Sequence, residues 1–216
     1  MIKRMFFRKH ALLRTVKMII GILIGSFGTA IFYEIGWGSA PSSTASEGLT
    51  LFFNINYGTA NAIINILCLL VIILTVPDLI GVGTLLAPLV FSLSIDFYLS
   101  IVRRFQLDGL ADPVKLLLLV FGAALSGVGV GYYIAQNYGT GAIDGISVML
   151  NRKFKIPYVY ARWGVDGLQM ASGIIMGAAW GVGTVISLLV VSPVVDFVIR
   201  HVRTDYDGEP GQEERK

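Results

Sequence analysis

The 216-residue sequence has one cysteine, Cys68, and two histidines, His10 and His201, and only 14% of it is charged. A lone thiol inside an apolar run supports neither a disulfide framework nor a thiolate metal cluster. Both histidines are peripheral in the chain, so neither is placed for catalysis. No P-loop, zinc spacing, catalytic triad or dinucleotide fingerprint is present. The expectation is therefore no cofactor, no metal, no enzymatic activity and no nucleic-acid partner.

What the chain has instead is apolar residues, 55% of the total, and a mean hydropathy of +0.72. Lipid is the solvent that such a composition implies. The chain is also written twice. Gly81 to Phe97, GVGTLLAPLVFSLSIDF, returns at Gly181 to Phe197 as GVGTVISLLVVSPVVDF, with nine of seventeen positions identical at a spacing of 100. Upstream the offset becomes 101: Gly21 meets Gly122, Gly28 meets Gly129, Gly38-Ser39 meets Gly139-Thr140, Phe53 meets Phe154, and Asn65 meets Asp166. Two diverged copies of one unit account for most of the chain.

An apolar stretch of about 20 residues crosses a bilayer as a helix, because a helix satisfies its own backbone in lipid. Six such stretches are expected: Ala11 to Tyr33, Tyr57 to Val76, Ile80 to Val102, Pro113 to Ala135, Tyr158 to Trp180 and Gly181 to His201. A cleaved signal peptide ending near Gly38-Ser39-Ala40 is the rival reading of the first. That run is long enough to span, however, and its duplicate near Pro113 cannot be a signal. Each copy also holds a shorter helix, about 41–54 and about 142–153, with Ser42, Ser43, Thr44 and Asp144 as candidate caps. These helices are too short to span and are either interfacial or re-entrant.

The fold class expected is an all-α membrane protein of six transmembrane helices, as two inverted three-helix repeats (11–102 and 113–201) joined by an external loop, 103–112. The inversion follows from the odd span count. With the N-terminus inside, thirteen Lys and Arg fall inside and three (Arg103, Arg104 and Lys115) outside. This places the basic arm 1–10 and a disordered tail, 202–216, in the cytoplasm of a bacterial inner membrane protein.

The run Tyr138-Gly139-Thr140-Gly141-Ala142-Ile143-Asp144, then Arg162 with an acid four residues on, then Trp180-Gly181-Val182-Gly183-Thr184 and Ser192-Pro193, resembles the bacterial YczE/YyaS/YitT family. The similarity runs from about Gly21 to Phe197. This sequence departs from the family pattern in having Asp166 where Glu is commoner and Ser192 where Gly often precedes Pro. Its Pro41 and Asp144 divide one motif between the copies. The resemblance implies a multi-pass membrane protein of unassigned activity, sometimes suggested to be a transporter.

Ionisable groups within spans are costly unless paired or wetted, so each is a candidate site. Arg162 and Asp166, four apart, share one helix face. They fit either a substrate or proton site, or a neutral structural pair. Asp144 either reaches the same cavity or caps the short helix. Asn61 and Asn65 lie on the equivalent face of the first copy, and Ser39 and Thr140 open the two short segments. Asp96 and Asp196 form a second duplicated pair, as a proton relay or as salt-bridge partners of Arg103 and Arg200. The expected activity is transport of a small solute bound between the halves, with a non-transporting membrane partner as the alternative and a homodimer compatible with either.

Overall fold

The computed structural model describes residues 11–202. Among the described residues there are eight α-helices, three single-turn 3₁₀ helices and no strand. The helices are α1 (Ala11–Glu34), α2 (Pro41–Phe53), α3 (Tyr57–Thr75), α4 (Val82–Val102), α5 (Asp112–Ala135), α6 (Ala142–Phe154), α7 (Tyr158–Ile175) and α8 (Val182–His201). The arm 1–10 and all but the first residue of the tail lie outside the described residues.

Among the described residues five segments are long and apolar enough to cross a membrane: Leu12–Glu34, Tyr57–Thr75, Val82–Phe105, Asp112–Ala135 and Val182–His201. The expected sixth, α7, is shorter than its sequence suggests and carries Arg162, Asp166 and Gln169. It stops at Ile175 rather than Trp180 because Gly177 turns left-handed at φ +96. The N–H of Gly177 then bonds Ile174 O at 3.0 Å and that of Ala178 bonds Gly173 O at 2.9 Å, a glycine-dependent helix stop.

The capping residues also differ from expectation. Ala40 and Gly141 occupy the N-cap positions of α2 and α6, and neither supplies a side-chain cap. Pro41 opens α2, where a missing N–H costs nothing. The Asp144 side chain is engaged elsewhere.

Glycines set how the helices approach. A Cβ at Gly21 would lie 2.9 Å from Gly129 O, and one at Gly28 would lie 2.6 Å from Gly122 O. As residue numbers rise on α1 their partners fall on α5, so the two cross antiparallel with main chains nearly touching. On the flanks the order is parallel. Met18 and Phe27 of α1 meet Gly83 and Tyr98 of α4, while Gly127 and Gly131 of α5 meet Val194 and Val198 of α8. Thus α1 and α4 run one way, and α5 and α8 the other. The short helix of each half packs on the other half: α2 lies against α7 where Thr44 meets Gly173, and α6 against α3 where Gly145 meets Ile72.

Backbone detail repeats as well. Left-handed residues occur at Gly36 and Asn137, at Gly38 and Gly139, and at Asn54 and Lys155. Two long-range bonds form a matched set: Gly83 N–H donates to Tyr138 O and Gly183 N–H to Trp37 O, both at 2.9 Å. Because Trp37 follows α1 and Tyr138 follows α5, these bonds lie at opposite ends of the antiparallel pair. Ile66, Leu67 and Leu74 of α3 and Leu85, Leu89 and Leu93 of α4 remain exposed, an apolar surface suited to lipid.

Candidate functional site

The strongest charge cluster joins three helices at their ends. Arg162 stands one turn into α7, so a carboxylate four residues on lies beside it: Arg162 Nε donates to Asp166 Oδ2 at 2.9 Å. The third residue of α6, Asp144, receives the other arm of the guanidinium, through Nη1 to Oδ1. Asp144 Oδ2 in turn accepts the hydroxyl proton of Tyr133, from the last turn of α5. The side chains of Arg162 and Asp166 are 13% and 6% exposed, so the bonds are shielded from water and stronger than surface pairs. One guanidinium faces two carboxylates, and the ionised cluster has an excess negative charge. That excess suits a proton or a cation.

Tyr158 packs beside this cluster with its hydroxyl buried next to Arg162, and Thr140 Oγ1 and Ser147 Oγ near the start of α6 are buried without a hydrogen bond among the described residues. Buried polar atoms are normally satisfied, so this end of the molecule has unused bonding capacity. Sequence reasoning did not single out Tyr133 or Tyr158. Aromatic residues near helix ends are common in membrane proteins, and only the fold shows which of them point inward.

The first copy holds an uncharged counterpart. Tyr33 and Ser43 share a hydrogen bond at 2.5 Å, Ser46 Oγ donates to Asn61 Oδ1 at 3.4 Å, and Asn65 Nδ2 donates to Asn61 O at 2.9 Å. By repeat position Ser43, Asn61 and Asn65 answer to Asp144, Arg162 and Asp166. Asp144, Arg162 and Asp166 on one side and Asn61 and Asn65 on the other therefore form two related clusters, one ionic and one neutral, and among the described residues no hydrogen bond links them.

The remaining candidates lie apart. Ser39 Oγ pairs with Thr44 Oγ1 at 3.0 Å, in the loop before α2. Thr140 occupies the equivalent loop, with its N–H on Leu79 O at 3.2 Å. Asp196 bonds Arg200 at 2.8 Å. Arg103, however, reaches Glu34 at 3.6 Å rather than Asp96, because α4 runs beside α1 and brings its end to that of α1. Asp96 itself is exposed on α4. Among the described residues no group of His, Cys, Asp and Glu is arranged to hold a metal.

Beside Ser39 lies an open groove of about 610 Å³, within the size range of small-molecule sites. The first half contributes Trp37, Ser39 and Glu47, and the second contributes Trp180 and Gly181. Apart from Ser39, none of these was a site candidate in the sequence, where Trp180 and Gly181 stood only as part of a motif, since Glu47 and the tryptophans converge only after α8 has docked on the loop at Trp37.

The chain is similar to an uncharacterized protein of Haemophilus influenzae, with 25% identity over 183 residues that span 84% of this chain and 81% of the relative. It is similar to the uncharacterized protein YyaS of Bacillus subtilis to the same degree, 25% over 173 residues, or 78% of this chain and 84% of the relative. No solved structure matches it. The matched family model runs from residue 12 to residue 200, nearly the whole described structure, and the chain belongs to that family of unknown function, DUF6198.

Proposed function

We propose that the chain is a small-molecule transporter of the bacterial cytoplasmic membrane, with six spans as two inverted three-helix repeats and both termini cytoplasmic. The opposed directions of α1 with α4 and of α5 with α8 support the inversion. The helix α7, about 27 Å long at 1.5 Å per residue, serves as the sixth span, its charge at Arg162 neutralised by Asp144 and Asp166.

The observation that carries the proposal is a difference between equivalent ends. Ser39, Glu47, Trp37 and Trp180 surround an open groove. Their repeat counterparts Thr140, Val148 and Tyr138 are buried, at 5%, 8% and 4% exposure, and Ile80 is half-buried. A duplicated scaffold has no need to open one end and shut the other. A pair of rocking halves does, since alternating access requires the two ends to exchange states around a fixed site. The ionic cluster of Asp144, Arg162 and Asp166 lies on the α6–α7 side, where such exchange would wet it.

The alternative, a non-transporting membrane partner, draws support from the apolar faces of α3 and α4, which would also serve a homodimer. Paired cysteine reactivity separates the readings. With Cys68→Ser as background, single cysteines replace Ser39 or Thr140 in purified protein in lipid. Transport predicts slow but measurable modification at Thr140→Cys, and a solute that changes the Ser39→Cys and Thr140→Cys rates in opposite directions. Permanent inertness of Thr140→Cys would favour the partner reading.

A further inference from the structure

We propose that the groove at Trp37 and Trp180 is a binding site for an organic ammonium cation, with Glu47 as counter-ion and the exposed Trp180 indole as cation–π wall. The assignment deepens the transport reading and rests on it for the fate of the ligand.

The charge of the lining is one-signed. Glu47 is the one ionisable residue among those that line the groove, and it makes no ion pair among the described residues. It sits on α2, which is too short to span, and is half-buried. A lone carboxylate in such a place is more costly than one in water unless a cation accompanies it. No lysine or arginine lines the groove to receive an anion.

The aromatic component has a precedent within the molecule. Lys115, which also pairs with Asp112 at 3.9 Å, places its ammonium 5.7 Å from the centre of the Trp37 ring, within the range in which an indole face attracts a cation, so that face of Trp37 is taken and its charge is balanced by Asp112. Trp180 is 59% exposed, so its ring is open to a ligand. The floor is main chain: Gly38 at φ +138 packs against Gly181, and a Cβ at Gly36 would meet nothing within 4 Å. That bare space accommodates the alkyl groups of a substituted ammonium.

The mirror end tests the logic inside one chain. There Tyr138 replaces Trp37, Val148 replaces Glu47 and Ile80 replaces Trp180, so both the charge and the indole faces are missing. The groove chemistry was not imposed by the duplicated scaffold. It belongs to one half-site.

The test uses the full chain in lipid nanodiscs, with tetraethylammonium as probe, benzoate as anionic control and intrinsic tryptophan fluorescence as readout. Wild type should show a saturable change with tetraethylammonium and none with benzoate. Glu47→Gln and Trp180→Ala should each weaken binding about tenfold, in line with loss of a counter-charge or a desolvated cation–π contact, while Glu47→Asp should retain it. Tetraethylammonium should also protect Ser39→Cys from thiol reagents. Elution and melting profiles identify folded variants; if Glu47→Gln misfolds, Trp180→Ala, an exposed ring in a loop, carries the test. Wild-type affinity in folded Glu47→Gln or Trp180→Ala, equal response to benzoate, or no response in wild type would overturn the assignment. The transport reading would then stand or fall separately, on the exchange of reactivity between Ser39→Cys and Thr140→Cys.

Discussion

Gly81 lies so close to the carbonyl of Tyr138 that a Cβ on it would come within 2.5 Å of that oxygen. Its repeat counterpart Gly181 stands in the same relation to the carbonyl of Trp37. Each half inserts the beginning of its last helix into the loop of the other, and the fit leaves no room for a methyl group. Gly81→Val and Gly181→Val should each destabilise the protein by about 1–3 kcal/mol, the usual penalty of overpacking. Thermal unfolding in detergent would register the loss as a lower midpoint.

The α1–α5 crossing makes a sharper contrast. Gly129 packs against Gly25 and Gly21, whereas a Cβ on Gly58 of α3 would meet nothing within 4 Å. Gly129→Leu should abolish monodisperse protein. Gly58→Ala should leave stability unchanged or raise it by up to about 1 kcal/mol, the helix-propensity difference. Size-exclusion profiles and melting curves of both variants suffice to compare them.

For the ionic cluster, removing the cation alone is the damaging step. Arg162→Gln leaves Asp144 and Asp166 facing each other in a shielded site, a loss of about 3–5 kcal/mol. Adding Asp166→Asn to it should recover part of that loss, so the double variant melts above Arg162→Gln. Additive destabilisation in this pair would mean that the three groups are not electrostatically coupled.

Orientation is open to direct measurement on intact cells. On a Cys68→Ser background, Trp180→Cys should react with a membrane-impermeant maleimide and Lys153→Cys only after permeabilisation. Both replaced residues are exposed, so access to the reagent depends on the side of the membrane. Equal labelling of the two would contradict the inverted arrangement on which alternating access between the halves depends.

Most helix positions were legible in the sequence because apolar runs and duplication are one-dimensional signals. The expected Tyr57 to Val76 became Tyr57–Thr75, and Gly181 to His201 became Val182–His201. The end of α7 was not legible: Ile174 to Trp180 reads as a continuous apolar run, and only the left-handed turn at Gly177 breaks it. Arg162 and Asp166 were visible as a pair through their helical spacing. Asp144 was visible as a residue that either reaches the same cavity or caps the short helix, and its bond to Arg162 accords with the first; Tyr133 on α5, which completes the cluster, is fixed by how three helix ends meet. Such contacts leave no period in the sequence. Likewise Arg103 could be paired with Asp96 by proximity in the chain, and it instead finds Glu34 because α4 lies parallel to α1.

The exchanged bonds at Trp37 and Tyr138 constrain how the molecule is made. When α4 emerges from the ribosome, the acceptor for Gly83 N–H has yet to be synthesised, since Tyr138 lies more than fifty residues downstream. The first half thus waits with an unfinished helix start, and the second half is complete only by returning to a loop already inserted. Each half therefore takes one backbone acceptor from the other, and neither helix start is complete until both halves are present.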